Sequence, residues 1–173
     1  MKIGILSGTF DPVHSGHVEL ARTATSKLDL DCVLFVPERQ SRYKTKVSDY
    51  IHRLNMLQLA LVEEPKMAVF ESIQVTHSIE LEKEVRAEYV SCELYLLLGA
   101  DSAGSIKDWH NYEKLKQTFK IVSFARSGTI AQVELNHPAS SKTIRKQTSF
   151  GQKSDHLSPR VLEYINEHKL YQG

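Results

Sequence analysis

One junction near the start of the chain constrains the fold more than any other segment. A short apolar run with strand propensity, residues 2–7, leads directly into the ten residues GTFDPVHSGH at positions 8–17. Residues 18–28 then carry apolar side chains at helical spacing. The pattern predicts a strand, a glycine-containing turn and a helix, which is the repeating unit of an α/β fold.

The same junction is suited to binding a phosphate. A helix N-terminus presents unpaired backbone N–H groups and the positive end of the helix dipole. Gly8 and Gly16 permit a ligand to approach the backbone closely. Because His14 and His17 are three residues apart at the start of a helix, both rings lie on one face and can donate to one target. Asp11 is expected to brace the turn.

A zinc site is the competing interpretation of the two histidines. The chain has no HExxH segment, no paired cysteines and no third ligand near His14 and His17. Surface or structural histidines are the other alternative. Together with the neighbouring glycines, the pair favours phosphate binding by these rings and predicts no metal ion held directly by the protein.

Composition favours a single cytoplasmic domain spanning residues 1–173. Of the 173 residues, 41% are hydrophobic and 25% charged, which is enough for one core. The net charge of +1 predicts no broad affinity for nucleic acid or membranes, so the expected partners are small molecules. Cys32 and Cys92 lie in apolar stretches and predict reduced thiols, and no run is long enough for a membrane span or a signal peptide.

Strands and helices are predicted to alternate along the chain. Apolar runs predict strands at residues 2–7, 32–36, 67–70, 93–98, 120–125 and 133–135. Helical spacing predicts helices at residues 18–28, 51–61, 79–89, 109–117, 141–147 and 159–168, with Ser48 and Ser158 as N-caps of the second and the last. The GADSAG segment, residues 99–104, is predicted as a loop. Such alternation implies a Rossmann-like, doubly wound, mostly parallel sheet with helices on both faces.

Two nucleotide-binding motifs are absent. The segment from Gly99 has glycines at the spacing of a P-loop but lacks the lysine that would hold phosphates. No GxGxxG fingerprint is present, so a dinucleotide-dependent dehydrogenase has no support.

The junction resembles the signature of the nucleotidyltransferase superfamily, whose members carry HxGH or TxGH at the first strand-to-helix turn; this chain has HSGH at positions 14–17. A second superfamily motif, ISSTxIR, resembles ASSKTIR at positions 139–145, where Ala139 and Lys142 depart from the pattern. The rest of the chain resembles the bacterial nicotinate-nucleotide adenylyltransferases. The matching segments are LLLGADS at 96–102, Trp109, FARSG at 124–128 and the C-terminal LSPRVLEYINEHKLY at 157–171.

The chain departs from that family mainly where the acceptor mononucleotide would bind. The family's PPHK loop is replaced by SRYK at 41–44, which keeps Lys44. The family's SYTxDTL is replaced by THSIELE at 76–82, where Ser78 stands for a threonine that helps read the nicotinate carboxylate. These departures bear on the identity of the acceptor, whereas the resemblance in the two phosphate motifs implies adenylyl transfer.

The resemblance implies a Mg²⁺-dependent enzyme of NAD biosynthesis that transfers AMP from ATP to nicotinate mononucleotide. Catalysis is expected from His14 and His17. The residues implied to bind ATP are these two together with Gly8, Thr9, Phe10, Lys44, Ser140, Ser141 and Arg145, and those implied for the acceptor are Ser78, Gly99, Asp101, Trp109 and Arg126. Two alternatives stay open: another phosphorylated acceptor, nicotinamide mononucleotide or 4′-phosphopantetheine, and a nucleotide-binding protein without turnover. A homo-oligomer is also left open.

Overall fold

The computed structural model describes residues 1–39, 46–72, 77–125, 133–135 and 137–172. Within these ranges, the side chains of Ala100, Asp101, Ala125 and Glu134 are outside the description. The predicted Lys44 and Arg126 sites lie outside the described residues.

The described strands form one sheet of six parallel strands. They are β1 (Lys2–Gly8), β2 (Cys32–Pro37), β3 (Met67–Val69), β4 (Glu93–Gly99), β5 (Lys120–Ala125) and β6 (Val133–Glu134). Their order across the sheet is β3-β2-β1-β4-β5-β6, and every pairing among them is parallel. This is the strand order of the doubly wound dinucleotide-binding fold. The predicted fold class is confirmed.

Helices connect successive strands and cover both faces of the sheet. They are α1 (Ser15–Leu28), α2 (Tyr50–Leu61), α3 (Leu81–Glu88), α4 (Ala100–Ser105), α5 (Tyr112–Thr118), α6 (Ser141–Ser149) and α7 (Pro159–Glu167), with 3₁₀ turns at Ser78–Glu80 and Ile106–Asp108. The N-cap of α7 is Ser158, whose Oγ accepts from the Val161 N–H at 3.4 Å, as the sequence predicted. No described helix is long and apolar enough to cross a membrane.

Two buried apolar layers hold the sheet between its helices. Alternate residues of a strand face opposite sides, so Ile5 packs under α3 and α5 while Leu6 packs under α1, α2, α6 and α7. Val85 and Leu115 come from the first pair of helices, and Val161 from the second group. Burial on both faces explains why the central strands read as continuous apolar runs.

Three local predictions were wrong. Residues 100–105 form helix α4 and not a loop, and Gly99 is its N-cap. That helix is short and holds small and polar residues, so its sequence has no apolar stripe to reveal it. The helix expected from Trp109 begins at Tyr112, because Trp109 is extended and Asn111 takes a left-handed φ of 55°. The N-cap of α2 is Asp49 and not Ser48.

The switch in strand order lies between β1 and β4, next to the turn at residues 8–17. In open α/β sheets, ligands bind at the carboxyl ends of the strands beside this switch. β1 ends at Gly8 and β4 at Gly99. The fold therefore places the predicted phosphate turn and the Gly99 segment at the same sheet edge.

Candidate active site

Phe10 shapes the turn that follows β1. Its φ is 49°, in the left-handed region, and its side chain is only 2% exposed. The ring packs against the rings of Phe35 and His17, with centroid distances of 5.6 and 5.1 Å. A Cβ on Gly8 would come within 3.1 Å of the Phe10 ring, so glycine at position 8 lets this ring fold back onto the strand end. The Phe10 side chain is thus a core residue, and any contact with ATP falls to its backbone.

His14 and His17 lie side by side at the start of α1. His14 is the N-cap, and the two rings stack with a centroid distance of 3.8 Å and an interplanar angle of 28°. This confirms that the rings share one face of the helix start. The His14 N–H donates to His17 Nδ1 at 3.2 Å, so Nδ1 carries no proton and the neutral ring is protonated at Nε2. The helix cap therefore selects the tautomer of His17 in which Nε2 is a donor.

His14 is buried among other histidines. Its side chain is 9% exposed, and burial, followed by the charges of His137 and His156, lowers its pKa to about 4. The His14 ring is therefore a neutral imidazole near pH 7. The sequence had left open whether it is an imidazole or an imidazolium ion. A neutral ring can supply one N–H donor and keeps no net charge in the buried site.

His137 and His156 are half-buried residues that lie close to His14. Their rings contact each other at a centroid distance of 5.5 Å. The His156 carbonyl accepts from the Ser15 N–H at 2.9 Å, and a Cβ on Gly16 would lie 3.1 Å from His137 Nδ1. Glycine at position 16 thus gives His137 room beside His14. Neither residue belongs to a sequence motif, so only tertiary packing reveals them.

The low pKa of His14 predicts a loss of stability in acid. Its folded pKa of about 4 lies below the ordinary value of 6.5, so the unfolded chain takes up the proton first as the pH falls. The contribution of neutral His14 to the free energy of unfolding is complete above about pH 6.5. It is lost as the pH falls towards about 4, at about 1.4 kcal/mol per pH unit. We expect wild type to lose about 2 to 3 kcal/mol more than His14→Asn between about pH 7 and pH 4.5 in denaturant titrations. Equal losses in the two proteins would contradict the assignment.

The second predicted motif meets the turn from the opposite end of the chain. Ser140 is the N-cap of α6, and Ser141 Oγ donates to the Pro12 carbonyl at 2.9 Å. Arg145 Nη1 donates to the carbonyl of Asp11 and lies 3.8 Å from its carboxylate. These contacts bring residues 140–145, the second motif, onto the turn after β1. The contacts seen for Ser141 and Arg145 hold the turn itself, and their contact with ATP stays a prediction.

Arg53 is a site-building residue that the sequence did not single out as one. Its side chain is 1% exposed, and its guanidinium donates to the carbonyls of Ser48, Thr9 and Arg39 at 2.9, 2.8 and 3.2 Å. Burial lowers the pKa of Arg53, and nearby Asp11 opposes that shift. One side chain of α2 thereby joins the turn after β1 to the segments that flank the undescribed residues 40–45.

The acceptor-side predictions are partly located. Ser78 opens the 3₁₀ turn before α3, and Trp109 is half-buried against the core layer under α3 and α5. His77 and His110, which flank Ser78 and Trp109, contact each other with ring centroids 4.2 Å apart. A Cβ on Gly99 would meet no described atom within 4 Å. The backbone of Asp101 lies in α4, but its side chain is outside the description.

A cavity of about 500 Å³ is lined by residues of α1, the end of α2 and the start of α7. Its wall includes His14, His137 and His156, together with Glu19 of α1 and the first residues of α7. Among the described residues, no group of three or more His, Cys, Asp or Glu side chains could hold a metal ion.

Comparisons with known proteins agree with this geometry. The family model for cytidylyltransferase-like proteins matches residues 5–147. A "Probable nicotinate-nucleotide adenylyltransferase" of Solibacter usitatus is 32% identical over 187 residues, covering 99% of this chain and all 100% of that protein. A protein of the same name from Coprothermobacter proteolyticus is 34% identical over 192 residues, covering 98% and 95%.

A solved structure shares the fold. The Plasmodium falciparum nicotinic acid mononucleotide adenylyltransferase, complexed with NaAD, superposes with a TM-score of 0.78 at 20% identity, covering 98% of this chain and 97% of that one. With the paired histidines at the β1–α1 turn and full-length similarity to curated relatives, the chain is a cytidylyltransferase-like nucleotidyltransferase and belongs to the nicotinate-nucleotide adenylyltransferase family.

Proposed function

We propose that the enzyme transfers AMP from ATP to nicotinate mononucleotide, releasing pyrophosphate and forming deamido-NAD. The observation that carries this proposal is the stacked His14–His17 pair at the sheet's switch point, braced by the 140–145 segment. The curated relatives named for this activity support the choice of acceptor.

The chemistry needs no protein nucleophile. An oxygen of the acceptor's 5′-phosphate attacks the α-phosphorus of ATP in line, a new P–O bond forms, and the bond to the β-phosphate oxygen breaks. The leaving pyrophosphate takes that electron pair. The protein acts by positioning both reactants and by stabilising the charge that develops on the transferring phosphoryl group.

Hydrogen-bond donors at the start of α1 would stabilise the charge that develops on the phosphate oxygens. Nε2–H of His17 and one N–H of neutral His14 would donate to the α- and β-phosphate oxygens. The backbone amides of residues 8–10 and of the N-terminus of α1 would donate further hydrogen bonds to the phosphates. Ser140, with Lys44 and Arg145, would complete the triphosphate site, and exposed Lys142 would add positive charge at the start of α6.

Magnesium would enter with ATP. Mg²⁺ is usually bound through substrate phosphates and water, with few protein ligands. When bound, it would neutralise charge on phosphate oxygens.

The acceptor would occupy the sheet edge beyond β4. Trp109 would stack on its base and Asp101 would bind a ribose hydroxyl, while Arg126 would meet its phosphate and Ser78 would help read the carboxylate. Trp109 is half-buried against the core layer under α3 and α5, and this position fits a stacking platform because it exposes part of the indole while fixing the rest. The alternative acceptors are nicotinamide mononucleotide and 4′-phosphopantetheine.

We also propose a reducing, cytoplasmic location. Cys32 and Cys92 are both free, and Cys92 is buried in the layer under α3 and α5. Free core thiols are typical of proteins in reducing compartments.

Pyrophosphate release from Mg²⁺-ATP tests the proposal directly. We expect turnover with nicotinate mononucleotide to exceed that with nicotinamide mononucleotide or 4′-phosphopantetheine. Faster turnover with nicotinamide mononucleotide or 4′-phosphopantetheine would show that the proposed acceptor is wrong and that the proposed adenylyl transfer is right. ATP binding without turnover on any of the three would instead support a binding-only protein.

A further inference from the structure

The end of the chain returns to the phosphate turn. After α7, Tyr171 takes a φ of 62°, in the left-handed region that bulky side chains rarely adopt. Its hydroxyl donates to Asp11 Oδ1 at 2.7 Å, across 160 residues of sequence. A strained conformation persists only where surrounding contacts hold it, so this contact is a built feature of the fold.

Asp11 is the buried anchor of the turn. Its side chain is 2% exposed, its Oδ2 lies 3.4 Å from the Ser48 backbone nitrogen, and Arg145 Nη1 lies 3.8 Å from the same oxygen. The Tyr171 bond is the shortest of these contacts with the carboxylate. A buried carboxylate depends on each donor that it keeps.

The Tyr171 hydroxyl can donate to Asp11 at any physiological pH. Burial, together with the Asp11 charge, raises the pKa of Tyr171 far above its usual value, so the phenol stays protonated. The ring also packs against the core layer under α2, and its hydroxyl lies 3.9 Å from Met56 Sδ. The C-terminal segment thus contacts both the turn and the helix that carries Arg53.

We propose that Tyr171 is a positioning residue for catalysis: its hydroxyl holds Asp11, and through Asp11 it holds the turn that aims His14 and His17. This inference rests on the proposed function, because its main readout is the rate of adenylyl transfer. Misplacing reacting groups by about 1 Å can cost about 100-fold in rate even when the change is remote.

Tyr171→Phe, with Tyr164→Phe as its matched control, tests the proposal. Both substitutions remove one hydrogen-bonded hydroxyl from the C-terminal segment, but Tyr164 bonds Asn55 and His52 of α2, at 2.9 and 3.0 Å, and not the turn. We expect Tyr171→Phe to lower kcat about tenfold or more with KM for ATP changed less than about threefold. Tyr164→Phe should keep kcat within about twofold of wild type. Equal kcat for the two variants would overturn the proposal.

Hydrogen exchange gives a readout that does not need activity. Amides of residues 8–17 should exchange faster in Tyr171→Phe than in Tyr164→Phe or wild type. If wild type shows no turnover with any acceptor but this difference is present, the proposed function fails and the positioning contact stands. Unchanged exchange in an active enzyme sinks the positioning contact alone.

A double variant separates the bond from general destabilisation. If Tyr171 acts through Asp11, Asp11→Asn combined with Tyr171→Phe should lower kcat by less than the product of the two single effects. Independent, multiplicative losses would show that Tyr171 acts by another route and would contradict the proposal.

Discussion

Replacing His17 with alanine is expected to lower kcat about 100- to 1000-fold, the usual cost of removing one preorganised transition-state donor. The tautomer set by the His14 N–H makes Nε2 the donor that is lost. The assay is pyrophosphate release under saturating ATP and acceptor, with circular dichroism to confirm folding. An unaltered kcat in a folded His17→Ala protein would defeat the assigned role.

A second substitution separates the helix cap from the chemistry. In His17→Asn, the amide oxygen can occupy the position of Nδ1 and accept from the His14 N–H, but nothing replaces Nε2. We therefore expect His17→Asn to melt close to wild type while losing about as much kcat as His17→Ala. His168→Ala, an exposed histidine at the end of α7, is the control for the loss of an imidazole.

Replacing Arg53 with methionine is expected to destabilise the fold by at least about 3 kcal/mol. The substitution keeps much of the buried volume but leaves three carbonyls without their donor, each at about 1 to 3 kcal/mol. For a domain of this size, about 2 to 4 °C of Tm is lost per kcal/mol, so Tm should fall by about 6 to 12 °C or more.

Arg160→Met is the matched control for that experiment. Arg160 pairs with Glu63 at 3.2 Å, but both side chains are largely exposed, at 48% and 80%. Exposed pairs contribute about 0 to 1 kcal/mol, so its Tm should stay near that of wild type. If calorimetry finds the same Tm for both variants, the guanidinium of Arg53 is not what joins these loops. Arg53→Lys should fall between, because a single ammonium cannot span three carbonyls as the guanidinium fork does.

Local sequence patterns, namely apolar runs and helix-capping residues, predicted most of the strands and helices. The strands around Ile5, Leu34 and Leu96 are buried on both faces, so their apolar runs were visible in sequence, and the Ser158–Pro159 start of α7 is a local signal. Helix α4 escaped because its short sequence has no apolar stripe. Periodicity reports burial, and an element that buries little leaves no such trace.

The candidate site was predictable in its phosphate turn and less so in the residues that support it. His14, His17 and the 140–145 segment stand in recognisable motifs, and the structure brings them together. Arg53 donates to backbone carbonyls of three segments. Because every residue has a backbone carbonyl, no sequence pattern shows which of them Arg53 contacts.

The sequence by itself determined the alternation of strands and helices apart from α4, the glycine-containing turn after β1 and the pairing of its two histidines, because each depends on neighbours within a few residues. Only the tertiary structure decided that His14 is neutral, that His137 and His156 surround it, and that Tyr171 reaches Asp11 from 160 residues away. Burial and proximity set these properties, and both arise only when distant segments pack on the same sheet edge.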